Sequence, residues 1–374
     1  MTEAVLYKEL ESVTDKKIGV ATLNSQKSHN ALSLEMIESL LPKLISWQED
    51  PNIAMVVLEG SGEKAFCAGG DIVDLYDAMT HKDGPRVDYV ETFFTHEYQL
   101  DYLIHTYEKP ILVFGQGFVM GGGLGLLAGA SHRVVTETSR IAMPEITIGL
   151  YPDVGGTYFL NQMPSGCGLF LGLTGASINA ADAKYINLAD FFVAQDKKYA
   201  LYEELVVTRW GETTALNHQK LNDIIRKYET DTVNMMPPGN IKPHLDTIEE
   251  VTSKSTVDGV VDGILAIESD EKWLKRAQGS LGHGSAITAR IVYEQLKRGK
   301  EMSLADCFRF ELGVSVKCAT EGEFAEGVRA LLIEKDNKPA WRFDTVHEVD
   351  ESMIQSMFES PWDAEHHPLK SLGK

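Results

Sequence analysis

A strand that leads into a glycine-rich turn, near the middle of the chain, most constrains what this sequence can fold into. The apolar run 111–114 is typical of a buried strand, and Pro110 and Gly115 delimit it. Three consecutive glycines at 121–123 follow, and the small apolar residues 126–130 predict a helix. Glycines at a strand-to-helix turn allow close backbone approach and leave helix N-terminal N–H groups without acceptors. Such donors suit an anion, or a carbonyl oxygen that becomes one.

Two acidic residues follow this turn. Glu145 comes directly after Pro144, and Asp153 lies eight positions farther along the chain. Two carboxyl groups near an anion site suggest acyl chemistry. On these residues alone, a glycine turn that serves only helix–sheet packing, with surface acids beside it, explains the stretch equally well.

Composition limits the class of protein and its partners. With 374 residues, of which 43% are hydrophobic, the chain has the interior of one large soluble domain or two. Its net charge of −20, from 55 acidic and 35 basic residues, argues against nucleic acid and anionic membrane as partners. No run approaches the roughly 18 apolar residues of a membrane span. The N-terminal residues have neither an apolar signal core nor a transit-peptide composition, so we expect a cytoplasmic location.

Cysteine and histidine spacing predicts neither a disulfide framework nor a metal centre. The four cysteines are widely spaced and form no CxxC pair, which is typical of core residues. The eleven histidines show no spacing typical of metal ligands. We therefore expect no metal ion.

Hydrophobic periodicity predicts the main elements of the first half. Strands are expected at 17–23 and 53–58, and each ββα-like unit places a glycine-containing turn after a strand. Ser33 is expected to cap the N-terminus of a helix. Residues 90–107 predict an amphipathic helix that carries Glu97 among aromatic side chains. Taken alone, Glu97 is most simply interpreted as a solvated helix acid.

The composition and the hydrophobic pattern of the sequence change near residue 195. Beyond it the chain is mostly helical and charged, and a Met-Met-Pro-Pro-Gly linker at 235–239 interrupts it. Further helices are predicted at 285–297 and, as one long helix or a helix pair, at 303–328. We therefore divide the chain into a core, residues 1–195, and a C-terminal helical region, residues 196–374.

Three motifs, in this order, resemble the crotonase (enoyl-CoA hydratase/isomerase) superfamily, and the match extends over about residues 17–193. The motifs are Phe66-Cys67-Ala68-Gly69-Gly70-Asp71, Met120-Gly121-Gly122-Gly123, and Met143-Pro144-Glu145 followed by Gly149, Pro152 and Gly155-Gly156. The resemblance implies an α/β fold, a crotonase-like spiral of repeated ββα units with a C-terminal helical region. Members often form trimers or pairs of trimers, and the extended tail leaves the homo-oligomeric state of this chain open.

The resemblance also implies an acyl-CoA as the small-molecule partner. In that superfamily, two glycine turns each supply one backbone N–H to an oxyanion hole for the thioester carbonyl. Matched by motif position, the two donors are Gly70 and Gly122. Each such donor contributes on the order of 3 kcal/mol to lowering a barrier. Coenzyme A is part of the substrate, so no separate cofactor is implied.

Acidic residues distinguish the members of the superfamily. Hydratases carry two glutamates, and the position of the first is Gly125 here, whereas the second matches Glu145. With Asp153, this region resembles the 3-hydroxyisobutyryl-CoA hydrolase branch, and the C-terminal stretch 326–341 is similar to that branch too. Glu97 matches a family glutamate near the substrate, where it would bind the acyl hydroxyl.

Hydrolysis of a short 3-hydroxyacyl-CoA is therefore the implied activity, with 3-hydroxyisobutyryl-CoA from valine catabolism as the expected substrate. Glu145 would act as a nucleophile or as a general base on water. Asp153 would orient that water or assist proton transfer to the departing thiolate. Two alternatives stay open: an enoyl-CoA hydratase or isomerase on the same fold, and a non-catalytic acyl-CoA-binding protein.

Overall fold

The computed structural model describes residues 3–374, which form a mixed α/β structure. The strands are β1 (Val5–Glu11), β2 (Lys17–Leu23), β3 (Ile53–Gly60), β4 (Ala65–Cys67), β5 (Ile111–Gly115), β6 (Phe118–Met120), β7 (His132–Val135), β8 (Arg140–Ala142) and β9 (Phe191–Phe192). The helices up to residue 207 are α1 (Leu34–Glu49), α2 (Ile72–Met79), α3 (Val87–His105), α4 (Gly122–Gly129), α5 (Gly156–Asn161), α6 (Cys167–Thr174), α7 (Ala180–Tyr185) and α8 (Lys198–Val207). The later helices are α9 (Thr214–Thr232), α10 (Leu245–Thr252), α11 (Val257–Leu265), α12 (Lys272–His283), α13 (Ala286–Gly299), α14 (Leu304–Thr320), α15 (Phe324–Val328) and α16 (Glu351–Met357).

Two compact units interleave along the chain. The first unit contains the chain up to Gly70, Leu100–Ile141 and Ile178–Asn240. The second unit contains Asp71–Gln99, Ala142–Ser177 and Ile241–Lys374. The predicted linker at 235–239 falls at the end of the first unit. This division by contacts does not test the predicted domain boundary at residue 195, which stays a prediction.

A six-stranded sheet of order β1-β2-β3-β5-β7-β9 forms the centre of the first unit. Its strands pair in parallel except for β1, which pairs antiparallel with β2 at the edge. The predicted strands at 17–23, 53–58 and 111–114 are confirmed. Their continuous apolar runs match a parallel sheet that is buried on both faces. Helices α8 and α9 cover the sheet, because Leu201, Leu221 and Ile225 belong to the same core as its strand residues.

A second, three-stranded sheet of order β4-β6-β8 accompanies the first. Each of its strands has only three residues, too few for an alternating pattern to be recognised in the sequence. β4 and β6 run parallel, with Cys67 opposite Val119. This pairing brings the two glycine turns to one end of the small sheet.

Helices make up most of the second unit. The helix predicted at 285–297 is confirmed as α13, and the Ser285 hydroxyl caps it by accepting from the N–H of Thr288 at 3.0 Å. The helix pair predicted at 303–328 is confirmed as α14 and α15. Among residues 3–374, no helix combines the length and apolar character needed to cross a bilayer.

Candidate active site

The two glycine turns lie side by side in the first unit. Gly70 comes three residues after Cys67, and Gly122 comes three residues after Val119. Because Cys67 and Val119 are register partners of parallel strands, both glycines follow the same end of the small sheet. The predicted pair of donors is therefore brought together by strand register.

Backbone geometry at these turns requires glycine. Gly121, the N-cap of α4, has a φ of 46°, and Gly69 has a φ of 111°, a region that other residues rarely adopt. A Cβ atom on Gly123 would lie only 2.3 Å from the carbonyl oxygen of Cys67. As the first residue of α4, Gly122 has an N–H group without an intrahelical acceptor. The turns thus suit the binding of a negatively charged oxygen.

Glu97, Glu145 and Asp153 are among the buried carboxyl groups of the second unit. Glu97 lies on α3, Glu145 begins the 3₁₀ turn Glu145–Ile148, and Asp153 lies in the loop before α5. The exposed fractions of these residues are 2%, 5% and 4%, respectively. The interpretation of Glu97 as a solvated helix acid is therefore wrong, because its helix turns it inward. The structure brings together the three acids that the sequence singled out.

Burial and mutual repulsion raise the pKa values of these acids. Burial raises the pKa of Glu145 well above its usual range, and the charges of Asp153 and Glu97 raise it further. Burial, followed by the charge of Asp153, also raises the pKa of Glu97 well above its usual range. The pKa of Asp153 rises to about 6 through burial, against a hydrogen bond from Tyr98 that lowers it. The three carboxyl groups therefore keep their protons to higher pH than ordinary carboxyl groups do, and they titrate as one coupled system.

Glu145 is positioned by the C-terminal part of the chain. A Cβ atom on Gly327, in α15, would lie 2.3 Å from the backbone of Ile148, so α15 packs directly on the Glu145 turn. The N–H of Ser285 donates to the carbonyl oxygen of Ile146 at 3.0 Å on another side of the same turn. Within residues 3–374, the buried Oε2 atom of Glu145 has no hydrogen-bond partner. Its lone pairs are thus available to a reactant.

A strained loop holds Asp153. The next residue, Val154, has a φ of 51°, which costs a β-branched residue about 1–3 kcal/mol. Glu311 on α14 fastens the loop, because its carboxyl oxygens accept from the N–H groups of Gly155 at 2.8 Å and Thr157 at 2.7 Å. These bonds hold the backbone that directly follows Asp153.

Three hydroxyl groups connect Asp153 to helix α14, and we call Tyr98, Ser315 and Tyr151 the hydroxyl chain. The Tyr98 hydroxyl lies 2.7 Å from Oδ2 of Asp153, to which it can donate when Asp153 is ionised, and 2.6 Å from Oγ of Ser315. Oγ of Ser315 lies 2.9 Å from the Tyr151 hydroxyl, which donates to the carbonyl oxygen of Glu311 at 2.8 Å. Every member of the hydroxyl chain is fully buried.

Sequence reasoning missed the hydroxyl chain and Glu311. Tyr98 follows the predicted Glu97, and Tyr151 lies within the motif that contains Asp153, so proximity in sequence marked both weakly. Glu311 and Ser315 interrupt an otherwise apolar stretch of α14. A buried acid and a buried hydroxyl one helical turn apart signal a common polar partner, but they do not identify it.

Glu311 is expected to make the stability of the protein depend on pH. Burial raises the pKa of Glu311 to about 8, against the hydrogen bonds from Thr157 and Gly155 that lower it. Between the ordinary glutamate pKa of about 4.3 and this value, the folded state keeps a proton that the unfolded chain releases. Stability in this range therefore falls as pH rises. We expect the urea midpoint of unfolding to decrease from about pH 5 to about pH 8.

The matched variant Glu311→Gln separates this titration from that of the other groups. Its amide nitrogen cannot accept from the second backbone N–H, so we expect a loss of about 1–3 kcal/mol in the free energy of unfolding at acidic pH. Because glutamine has no proton to release, the variant's urea midpoint should change less with pH. Equal slopes of midpoint against pH in both proteins would contradict the role of Glu311.

Comparison with known proteins places this chain in a family. A profile described as enoyl-CoA hydratase/isomerase matches residues 18–358. A Xenopus tropicalis protein named mitochondrial 3-hydroxyisobutyryl-CoA hydrolase is 37% identical over 343 residues, which cover 91% of this chain and 86% of that protein. The resemblance to the crotonase superfamily and its hydrolase branch, stated from the motifs, is confirmed.

Solved structures confirm the expected crotonase-like α/β fold with its C-terminal helical region. A carnitinyl-CoA dehydratase from Mycobacterium thermoresistibile superposes with a TM-score of 0.83 at 30% identity, covering 97% of this chain and 98% of the other. An enoyl-CoA hydratase from Rhodobacter sphaeroides gives a TM-score of 0.81 at 29% identity, covering 96% of this chain and 98% of the other. The chain belongs to the enoyl-CoA hydratase/isomerase family.

Proposed function

We propose that the protein hydrolyses the thioester of a short 3-hydroxyacyl-CoA, with 3-hydroxyisobutyryl-CoA as the preferred substrate. The observation that carries the proposal is the burial of Asp153 in one coupled carboxyl cluster with Glu145. Gly125 occupies the position at which hydratases of the superfamily carry their first glutamate, so this chain lacks one of the two hydratase acids. The name of the Xenopus tropicalis relative supports hydrolysis and this acyl group. A role in valine catabolism follows from that substrate.

The proposed reaction begins with the thioester carbonyl oxygen bound by the amides of Gly70 and Gly122. These donors stabilise the negative charge that develops on this oxygen, by on the order of 3 kcal/mol each. Glu145, in its ionised form, then attacks the carbonyl carbon or removes a proton from the attacking water. Its open Oε2 atom and raised pKa suit either role.

Asp153 completes the proposed reaction by donating a proton to the departing thiolate. The products are the hydroxy acid and free coenzyme A, and one water molecule supplies both the oxygen and the hydrogen that are added. Glu97, buried in the same cluster, is proposed to accept a hydrogen bond from the acyl hydroxyl. Neither step requires a metal ion or a separate cofactor, since coenzyme A arrives with the substrate.

Hydration of an enoyl-CoA, or the reverse dehydration, is the second candidate. The two solved neighbours, which are named an enoyl-CoA hydratase and a carnitinyl-CoA dehydratase, favour it. A reaction of this type adds or removes water across a double bond and releases no thiol, which makes the two candidates easy to separate.

We expect the purified protein to release free thiol from 3-hydroxyisobutyryl-CoA. Thiol is measured with a chromogenic disulfide, and crotonyl-CoA is tested in parallel through the absorbance of its conjugated double bond. Loss of that absorbance without thiol release would replace the proposed function by hydration. Binding of both esters without any product would instead identify an acyl-CoA-binding protein.

The cellular location and the assembly of the protein are also proposals. We propose a cytoplasmic location for this chain, whereas the named relative is mitochondrial. Fractionation of cells that express the chain tests this location. Assembly into a homo-oligomer through the C-terminal helices stays a prediction from the family, and sedimentation of the purified protein tests it.

A further inference from the structure

The hydroxyl chain contains too few protons when Asp153 is ionised. Four oxygen–oxygen contacts of 2.6–2.9 Å link Asp153, Tyr98, Ser315, Tyr151 and the carbonyl oxygen of Glu311. Each contact needs one proton to be a hydrogen bond. A carboxylate and a carbonyl oxygen only accept, and three hydroxyl groups provide three protons. One of the four contacts then brings lone pairs together in a buried site, which is unfavourable.

One additional proton satisfies every contact. With a proton on Oδ2, Asp153 donates to Tyr98, Tyr98 donates to Ser315, Ser315 donates to Tyr151, and Tyr151 donates to Glu311. All donors then point the same way, and the chain ends on a backbone carbonyl that accepts. The hydrogen bonds in such an aligned chain strengthen one another in a medium of low dielectric constant.

We propose that the hydroxyl chain is a positioning device that keeps a proton on Oδ2 of Asp153. Tyr98 contacts the carboxyl group directly, whereas Ser315 and Tyr151 act through Tyr98. The catalytic consequence deepens the proposed function and rests on it: a proton held on Asp153 is available to the leaving thiolate. The protonation of Asp153 itself does not rest on that function.

The surroundings of Asp153 favour the same state. The ionisable groups that face it come from α3, from the loop around it and from α14. They are Glu97, Tyr98, Glu145, Tyr151, Glu311 and Cys318. These groups are acids that are neutral or negative, so none of them stabilises a negative charge on Asp153 by an opposite charge. Burial acts in the same direction and outweighs the hydrogen bonds from Tyr98 and from the backbone of Asp153, which lower the pKa of Asp153.

Proton balance in the reaction follows from this arrangement. When Asp153 transfers its proton to the thiolate, an S–H bond forms and an O–H bond of Asp153 breaks. The proton of Tyr98 then turns back toward Oδ2, and one contact in the chain loses its proton. The water consumed in hydrolysis supplies the replacement proton, which returns the chain to its complete state.

Ser315→Ala tests the inference, because it removes the middle of the chain and leaves the Tyr98–Asp153 contact in place. Tyr98 then donates to ionised Asp153 and Tyr151 donates to Glu311, so no contact lacks a proton. We expect the pKa of Asp153 to fall by about 1, the size expected for one buried hydrogen bond. The readout is an NMR titration of isotope-labelled aspartate carboxyl carbons, with the Asp153 resonance assigned from Asp153→Asn.

Further variants give the expected pattern of shifts. Tyr151→Phe shortens the chain at its other end and should also lower the pKa of Asp153, whether or not Ser315→Ala folds. Thr320→Val is the matched control, since it removes a hydroxyl from α14 that bonds only its own helix at Val316, and it should leave the pKa unchanged.

The outcomes separate this inference from the proposed function. An Asp153 pKa that is the same in wild type, Ser315→Ala and Tyr151→Phe would overturn the inference, whatever the thiol assay shows. The expected shifts in a protein that releases no thiol would support the hydroxyl chain and reject hydrolysis. In an active protein, Ser315→Ala is expected to lower kcat about tenfold near neutral pH with KM little changed.

Discussion

Glu145→Gln is expected to lower kcat for thiol release by about three orders of magnitude, within the range for loss of a catalytic base or nucleophile. Glutamine matches the volume of glutamate, so the packing of α15 on the turn at Glu145–Ile148 should be preserved. The amide can neither attack the carbonyl carbon nor remove a proton from water. Single-turnover thiol release measures the effect, and thermal unfolding of the variant shows whether the fold is kept.

A matched control accompanies this variant. Glu91→Gln changes a glutamate on α3 of the same unit that lies outside the carboxyl cluster, and its rate should equal that of the wild type within about twofold. A Glu145→Gln protein that retains more than about one tenth of the rate would remove Glu145 from the chemistry. Activity would then have to come from another acid of the cluster.

Asp153→Asn is expected to lower kcat by about 100-fold, the lower part of the range for general acid catalysis. Burial raises the pKa of Asp153 to about 6, and in the proposed mechanism its acid form is the active one. The rate constant kcat/KM should therefore decrease as pH rises through this value, and the variant should lose this ionisation from its pH profile. Stopped-flow thiol release across the pH range measures both effects.

A better leaving group distinguishes proton donation from the other role considered for Asp153, the orientation of water. A thioester of a more acidic thiol needs less protonation as it departs, so it should restore much of the lost rate in Asp153→Asn. An equal loss with both thioesters would show that Asp153 does not protonate the thiolate.

The sequence predicted elements that have a local signature. The hydrophobic pattern alone predicts the strand Lys17–Leu23, and the hydrogen-bonding capacity of serine predicts the helix cap at Ser33. The structure confirms both. The motif positions predicted Gly70 and Gly122 as the two backbone donors. The register of Cys67 with Val119 explains how glycine turns so far apart in sequence come to the same end of the small sheet.

Features that depend on distant contacts escaped prediction. The small sheet has strands of three residues, and its existence depends on pairing across the chain rather than on periodicity. The hydroxyl chain joins Tyr98, Tyr151 and Ser315 from three separate segments, and each alone looks like an ordinary core or helix residue. Glu97 was misjudged in isolation because a helix pattern with aromatic neighbours on several faces does not reveal which face is covered.

The contact between Gly327 and Ile148 has a consequence for the order in which the protein matures on the ribosome. The turn that begins with Glu145 leaves the exit tunnel long before α15 is synthesised. During that time the turn lacks its packing contact with α15. A nascent chain can acquire its parallel sheet early, whereas the acidic cluster gains its last support only as translation ends. A message cut short before codon 327 would therefore yield a chain with the donor turns and the Ser285 contact, but without the support that α15 gives to the turn at Glu145.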